Sequence, residues 1–144
     1  MSRKSKIQAL SIVFVLIIIV CVYLGIKLYN APSAIDVNTV KTEQSISSNK
    51  LIALFATNEN YANTTYVEKV ITVKGVVKDV TYLNDRYTVI LQGNNKFSQI
   101  ICDMSLSDSE KIKKLRTGQQ VNIKGICKGY LLDVIMLNCI LADE

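Results

Sequence analysis

The sequence predicts a mainly β domain: a five-stranded Greek-key barrel with one helix before it and one between its third and fourth strands, behind a single transmembrane helix. Three observations predict this. Residues 7–26 are twenty consecutive uncharged, mostly aliphatic residues. After residue 66, five runs rich in β-branched residues show a period near two, which is strand periodicity. Helical spacing appears only at 51–62 and 105–116. Helix, three strands, helix, two strands is the element order of an OB-fold barrel.

The first element follows from length. At about 1.5 Å per residue, twenty residues span roughly 30 Å, the hydrocarbon thickness of a bilayer. Only Gln8, Ser11, Cys21, Tyr23 and Gly25 dilute the run, and it has no amphipathic face. It exceeds the 7–15 apolar residues of a secretory signal. The alternative is cleavage near Ala31 and Ser33, which flank Pro32. Cys21 lies inside the run between Val20 and Val22, without the small neighbours of a lipidation signal. Arg3, Lys4 and Lys6 precede the run and Lys27 alone follows it closely. Basic residues stay inside, so the N-terminus is expected in the cytoplasm and the remainder outside the cytoplasmic membrane. The expected organisation is a basic N-terminus at 1–6, an anchor at 7–28, a polar linker at 29–48 and a barrel at 49–144. Richness in Ile, Lys and Asn suggests a bacterial source.

The net charge of +5 invites a nucleic-acid reading. Four of the seventeen basic residues flank the anchor, and the remaining thirteen face twelve acidic ones. The exported part is therefore almost neutral, without the electrostatic footprint of a phosphate binder.

In the barrel region, Ser47 or Ser48 caps a helix carrying Leu51, Ile52, Leu54, Phe55, Tyr61 and Ala62. Asn58, Asn60 and Asn63 weaken its far end; Asn63-Thr64-Thr65 matches a glycosylation sequon, coincidental in a bacterial protein. Residues 70–80 form the first strand, with Gly75 placed for a bend or bulge. Asn84-Asp85 turns the chain into a second strand at 86–92, and Gly93-Asn94-Asn95 into a third at 97–104. A helix is expected over 105–116, with Glu110 early and Lys111, Lys113, Lys114 and Arg116 late, in accord with the helix dipole. Leu106, Ile112 and Leu115 supply its apolar face and Gly118 ends it. Its basic cluster reads as a solvated face, with a phosphate or lipid-headgroup contact as the alternative. Strands at 120–128 and 133–141, joined by 129–132, complete the domain.

Particular residues carry a resemblance. They are Asn58-Glu59, Ala62, Tyr66, Lys69-Val70, Val73-Lys74-Gly75-Val76-Val77, Cys102, the stretch 115–130, Asp133-Val134, Leu137 and Asn138-Cys139. Over 51–141 the chain resembles the tRNA_anti-like family, OB-fold domains of bacterial membrane and lipoprotein-type proteins. The resemblance implies the barrel fold. It implies no activity, because one fold hosts many functions.

The chain has no histidine, no glycine-rich phosphate loop and no paired carboxylates at catalytic spacing. Neither an enzyme, a metal site nor a cofactor is expected. Cys102, Cys127 and Cys139 allow one disulfide at most. Strands three and five are neighbours in an OB barrel, so Cys102 with Cys139 is geometrically open; Cys127 reaches Cys102 only if the barrel is pinched there, and a simple hairpin holds Cys127 and Cys139 beyond about 7 Å. The alternative is three buried thiols.

OB-folds bind on the face of strands two and three, between the first and last inter-strand loops. The candidates on that face are Tyr82, Arg86, Tyr87, Lys96 and Phe97, with Lys128 and Tyr130 from the last loop. They offer rings for stacking and a few cations. In the competing reading Tyr87 and Phe97 cover the barrel. The expected role is a membrane-anchored, extracytoplasmic OB-fold binding module of unknown ligand, protein-interacting or envelope-associated, with single-stranded nucleic acid or another oligomer on the OB face as the alternative.

Overall fold

The computed structural model describes residues 3–29, 37, 39–42, 44–93 and 98–142. They fall into two compact units, Met1–Ile35 and Asp36–Glu144. In the first, α1 runs Arg3–Tyr29, 27 residues. Its described side chains, those of 13–26, are all exposed. Among the described residues no helix is long and apolar enough to cross a membrane.

The second unit holds β1 (Gln44–Ser47), α2 (Ser48–Thr57), α3 (Glu59–Tyr66), β2 (Val70–Leu83), β3 (Arg86–Gln92), β4 (Gln99–Met104), α4 (Ser109–Ile112), β5 (Gln120–Tyr130) and β6 (Val134–Leu141). The strands are ordered β1-β2-β3-β4-β6-β5, and β2 also pairs with β5. That pairing closes a five-stranded barrel and leaves β1 as an outer strand. The length of β2 makes closure possible. Its first half, Val70 to Val76, pairs antiparallel with β5, and its second half, from Val77, pairs with β3. The register shifts between Val77 and Asp79, the local twist that a bulge introduces. Gly75 lies just before the changeover, where a Cβ would meet Leu91 and Ser48 at 3.1 Å. There Ser48 Oγ donates to the Gln92 carbonyl at 2.9 Å and pins the start of α2 to β3.

Wholly buried Leu51, Ile71, Val73, Val89, Leu91, Ile100, Ile123 and Met136 fill the barrel, and Phe55 of α2 and Tyr66 of α3 are buried against this core. A second, smaller cluster lies apart from it: Val37 packs with Val70 and Ile126, flanked by Val40 and Ile140.

Three expectations are corrected. The linker expected at 29–48 reaches the domain early. Val37 is buried, Lys124 Nζ donates to the Val40 carbonyl, and 44–47 pair in parallel with β2. The helix expected from residue 47 breaks at Asn58, which ends α2 and whose side chain accepts from Tyr61 N at 3.2 Å to cap α3. The helix expected over 105–116 shrinks to a 3₁₀ turn at Leu106–Asp108 and one α-turn. Its neighbours explain the loss. Ser105 N donates to the Cys139 carbonyl and Asp108 accepts from Leu141 N, tying its start to β6. Lys114 and Leu115 then close with i→i−3 bonds, and Gly118 N donates to the Val77 carbonyl, so the chain is drawn onto β2 before a second turn can form.

Candidate binding face

Strand alternation sends Val89 and Leu91 of β3, Ile100 and Cys102 of β4, and Val134 and Met136 of β6 into the core, all at zero to one per cent exposure. Their neighbours must then face outward. Register brings three of these into one row: Ile90 pairs with Ile101, and Ile101 with Ile135. All three are half-buried. The centre of the OB face is therefore an aliphatic strip across three strands.

Polar contacts frame the strip at both ends. On one side Thr88 pairs with Asp103, and the Arg86 guanidinium meets the Asp103 carboxylate at 2.9 Å. On the other, Gln99 donates from its backbone N to Asp133 Oδ1 and from Nε2 to Asp133 Oδ2, each at 3.1 Å. Lys78 Nζ donates to Gln99 Oε1 at 2.7 Å.

The seven residues expected on this face separate. Tyr82 and Tyr87 form a cross-strand pair with ring centroids 4.5 Å apart. Their parity is that of Val89, so the rings belong to the inner side of a hairpin that outruns the barrel. Tyr87 packs against the core, while Tyr82 is exposed and donates its hydroxyl to Asp85 at 3.0 Å. That bond, with the Asp85 charge, raises the Tyr82 pKa. Arg86 alone of the tyrosine hairpin's candidates lies on the outward face. Lys128 and Tyr130 belong to another region: Lys128 pairs with Glu68 beside α3 at 2.7 Å, and Tyr130 stacks on Phe55 of α2 at 5.7 Å. Lys96 and Phe97 lie outside the described residues.

Sequence reading missed Ile90, Ile101 and Ile135 because it sought rings and cations. A signal was present. The runs 89–91 and 100–102 are apolar at successive positions, the mark of strands with apolar groups on both faces.

Other chemistry is quiet. Cys102, Cys127 and Cys139 are buried free thiols. Burial pushes the Cys127 thiol up to about 11. Burial also raises Cys139 well above its usual range, assisted by a hydrogen bond with Cys102. Neither is a thiolate nucleophile near neutrality. Among the described residues no group of three His, Cys, Asp or Glu is placed to hold a metal ion. Lys113 is paired with Glu110 at 2.8 Å, which raises the lysine and lowers the carboxyl. Two open pockets of about 380 and 350 Å³ share Lys74 and Gln120, and among the described residues neither is lined by a carboxylate.

A closed five-stranded barrel with β2 shared between two neighbours defines an OB-fold domain. The chain belongs to the tRNA_anti-like family, which matches residues 1–141. Among solved structures it is similar to a Klebsiella pneumoniae lipoprotein described by inference as nucleic-acid-binding, at 17% identity and a TM-score of 0.55, covering 78% of this chain and 99% of that one. It is also similar to part of an aspartyl-tRNA synthetase assigned in Leishmania major, at 12% identity and a TM-score of 0.46, covering 79% of this chain and 23% of that one. Comparison with curated proteins found no significant match.

Proposed function

We propose that this chain is a single-pass membrane protein whose OB-fold barrel stands outside the cytoplasmic membrane and binds a protein partner of the envelope through its β3–β4–β6 face. It has no catalytic role. The observation that carries the partner reading is the row Ile90, Ile101 and Ile135. Half-exposed aliphatic side chains framed by satisfied polar groups suit a protein surface, whereas single-stranded nucleic acid is held by rings and uncompensated cations. The anchor reading rests on the uncharged run 7–26 and on the 27-residue helix containing it. An aliphatic surface exposed on all sides is stable in lipid and costly in water.

The second reading is single-stranded nucleic acid. The Tyr82–Tyr87 pair beside Arg86 favours it, as does the inferred role of the Klebsiella lipoprotein. Asp103 already compensates Arg86, and the barrel region is close to neutral. One experiment separates the two. The detergent-solubilised full chain is titrated with a labelled oligonucleotide from low to high salt, and a photo-crosslinking residue is placed at Ile101 in cells. The expected result is no salt-dependent oligonucleotide binding and a discrete protein adduct at 101. Tight binding that weakens with salt, with no adduct, replaces this reading by the nucleic-acid one.

A further inference from the structure

On the β3–β4 face and beside α3 the charged side chains are paired: Arg86 with Asp103, Lys78 with Gln99, and Lys128 with Glu68. A groove on other strands differs. The open pockets of about 380 and 350 Å³ meet at Lys74 and Gln120. Together they lie over β1, the first half of β2 and the start of β5. Strand register builds the groove's centre. Ser47 of β1 lies beside Lys74, which in turn lies opposite Asn122 of β5. Val73 and Gly75 are buried and Lys74 between them is exposed, as strand alternation requires. Gln120 stands two residues before Asn122, on the same face of β5. Asn49 of α2 and Gln92 of β3 wall one end. Among the described residues Lys74 has no ion-pair or hydrogen-bond partner, and the side-chain amides of Asn49, Gln92, Gln120 and Asn122 have none. Lys111, the other lysine of the groove, is already engaged.

We propose that this groove binds a short acidic saccharide, with its acid group at Lys74 and its ring hydroxyls on the four amides. The site involves neither the anchor nor the isoleucine row. Two chemistries select that ligand. A lysine ammonium is a compact point charge that takes one carboxylate or phosphate. A carboxamide offers both donors and an acceptor, which is what adjacent hydroxyls of a sugar ring require of a binding surface. Four such groups around one uncommitted cation suit a ligand with many hydroxyls and few charges; a polyanion would leave most of its charges unanswered. Bases need stacking rings, and among the described residues none lines the groove. Both pockets fall within the ~300–1,000 Å³ of small-ligand sites, so a disaccharide lying across Lys74 places one ring on each side of it.

Binding to the detergent-solubilised full chain is measured by titration calorimetry with digalacturonate, glucose 6-phosphate, maltose and oligothymidylate. The expected result is binding of digalacturonate, of glucose 6-phosphate or of both, with maltose weaker; which acid binds tells the carboxylate source from the phosphate one. Lys74→Gln should weaken the acid probe about tenfold or more, the loss of one charge-assisted bond, and Gln120→Ala should also weaken it. Lys114→Gln removes an exposed lysine outside the groove and should change nothing. Lys74 and Gln120 are exposed, so both variants should melt as the wild-type chain does. No heat from either acid probe overturns the proposal. So does equal weakening by Lys74→Gln and Lys114→Gln, which marks diffuse attraction, and so does maltose bound as tightly as the acids. Oligothymidylate binding that Lys74→Gln abolishes, with neither acid sugar bound, overturns it in favour of nucleic acid.

Discussion

Single residues set the tolerance of this barrel. Gly125 of β5 is buried, and a Cβ there would lie 2.5 Å from Cys139 Sγ and 3.2 Å from the Leu137 carbonyl. The thiol occupies the place a side chain would need. Overpacking of this kind costs about 1–3 kcal/mol. Gly125→Ala is expected to lose stability in that range by urea unfolding. Adding Cys139→Ala should recover part of the loss, because it removes the clashing sulfur; simple additivity of the two losses would contradict the contact. A second residue-scale consequence concerns pH. Cys127 ionises at about 11 in the folded chain against an ordinary 9.0. Above pH 9 the unfolded thiol loses its proton first, so the folded chain binds more protons and stability must fall as pH rises. Stability is full below about pH 9 and declines between 9 and about 11, by about 1.4 kcal/mol per pH unit for one such thiol. Cys139 adds a decline in the same direction. Stability curves from pH 8 to 11 test this: Cys127→Ala should show the shallower alkaline slope, and equal slopes would refute the assignment.

At the scale of elements, α2 and α3 are two helices because of one side chain. Asn58 ends the first helix, its backbone N donates to the Leu54 carbonyl, and its Oδ1 caps the second at Tyr61 N. An N-cap replaced by alanine costs about 1 kcal/mol. Asn58→Ala is expected to lower stability by that amount while leaving the Phe55–Tyr130 stack in place; a thermal melt read beside tyrosine fluorescence distinguishes fraying of α3 from undocking of α2. Most elements were legible in the sequence because strand alternation and turn residues are local signals. The runs at 70–80, 86–92, 120–128 and 133–141 became β2, β3, β5 and β6, with β2 extended to Leu83. What could not be read locally depended on distant neighbours. β1 is four residues that become a strand only by lying along β2. The 105–116 segment has helical spacing, yet its bonds to β6 and β2 override it. The candidate face failed for the same reason. Tyr82 and Tyr87 meet across the hairpin, but which side of a strand faces out depends on parity and closure. That put the rings on the inner side and brought forward isoleucines that look like core residues in one dimension.

For the whole molecule, the distribution of charge matters more than its total. Three basic side chains stand before the apolar run and one directly after it, while the barrel side holds nearly equal numbers of each sign. Lys and Arg near the end of a span resist translocation, and Asp and Glu contribute little to orientation. The proposed topology therefore hangs on Arg3, Lys4 and Lys6. In spheroplasts, protease added outside is expected to digest the barrel of the wild-type chain and spare a small fragment containing α1. Replacing Arg3, Lys4 and Lys6 by Gln leaves Lys27 as the nearest charge, now on the other flank, so part of the population should become protease-protected through inversion. A wild-type barrel that resists protease until the membrane is opened would reverse the orientation. An unchanged digestion pattern in the triple variant would move control of topology away from the basic flank. The same asymmetry bears on ligand choice. Charges that fix orientation sit on the cytoplasmic side of the proposed span and are not available to an exported barrel, so the overall +5 gives it no long-range attraction for phosphate. Recognition in the proposed reading then comes from contact, and the isoleucine row is a continuous outward apolar strip that the strand register builds.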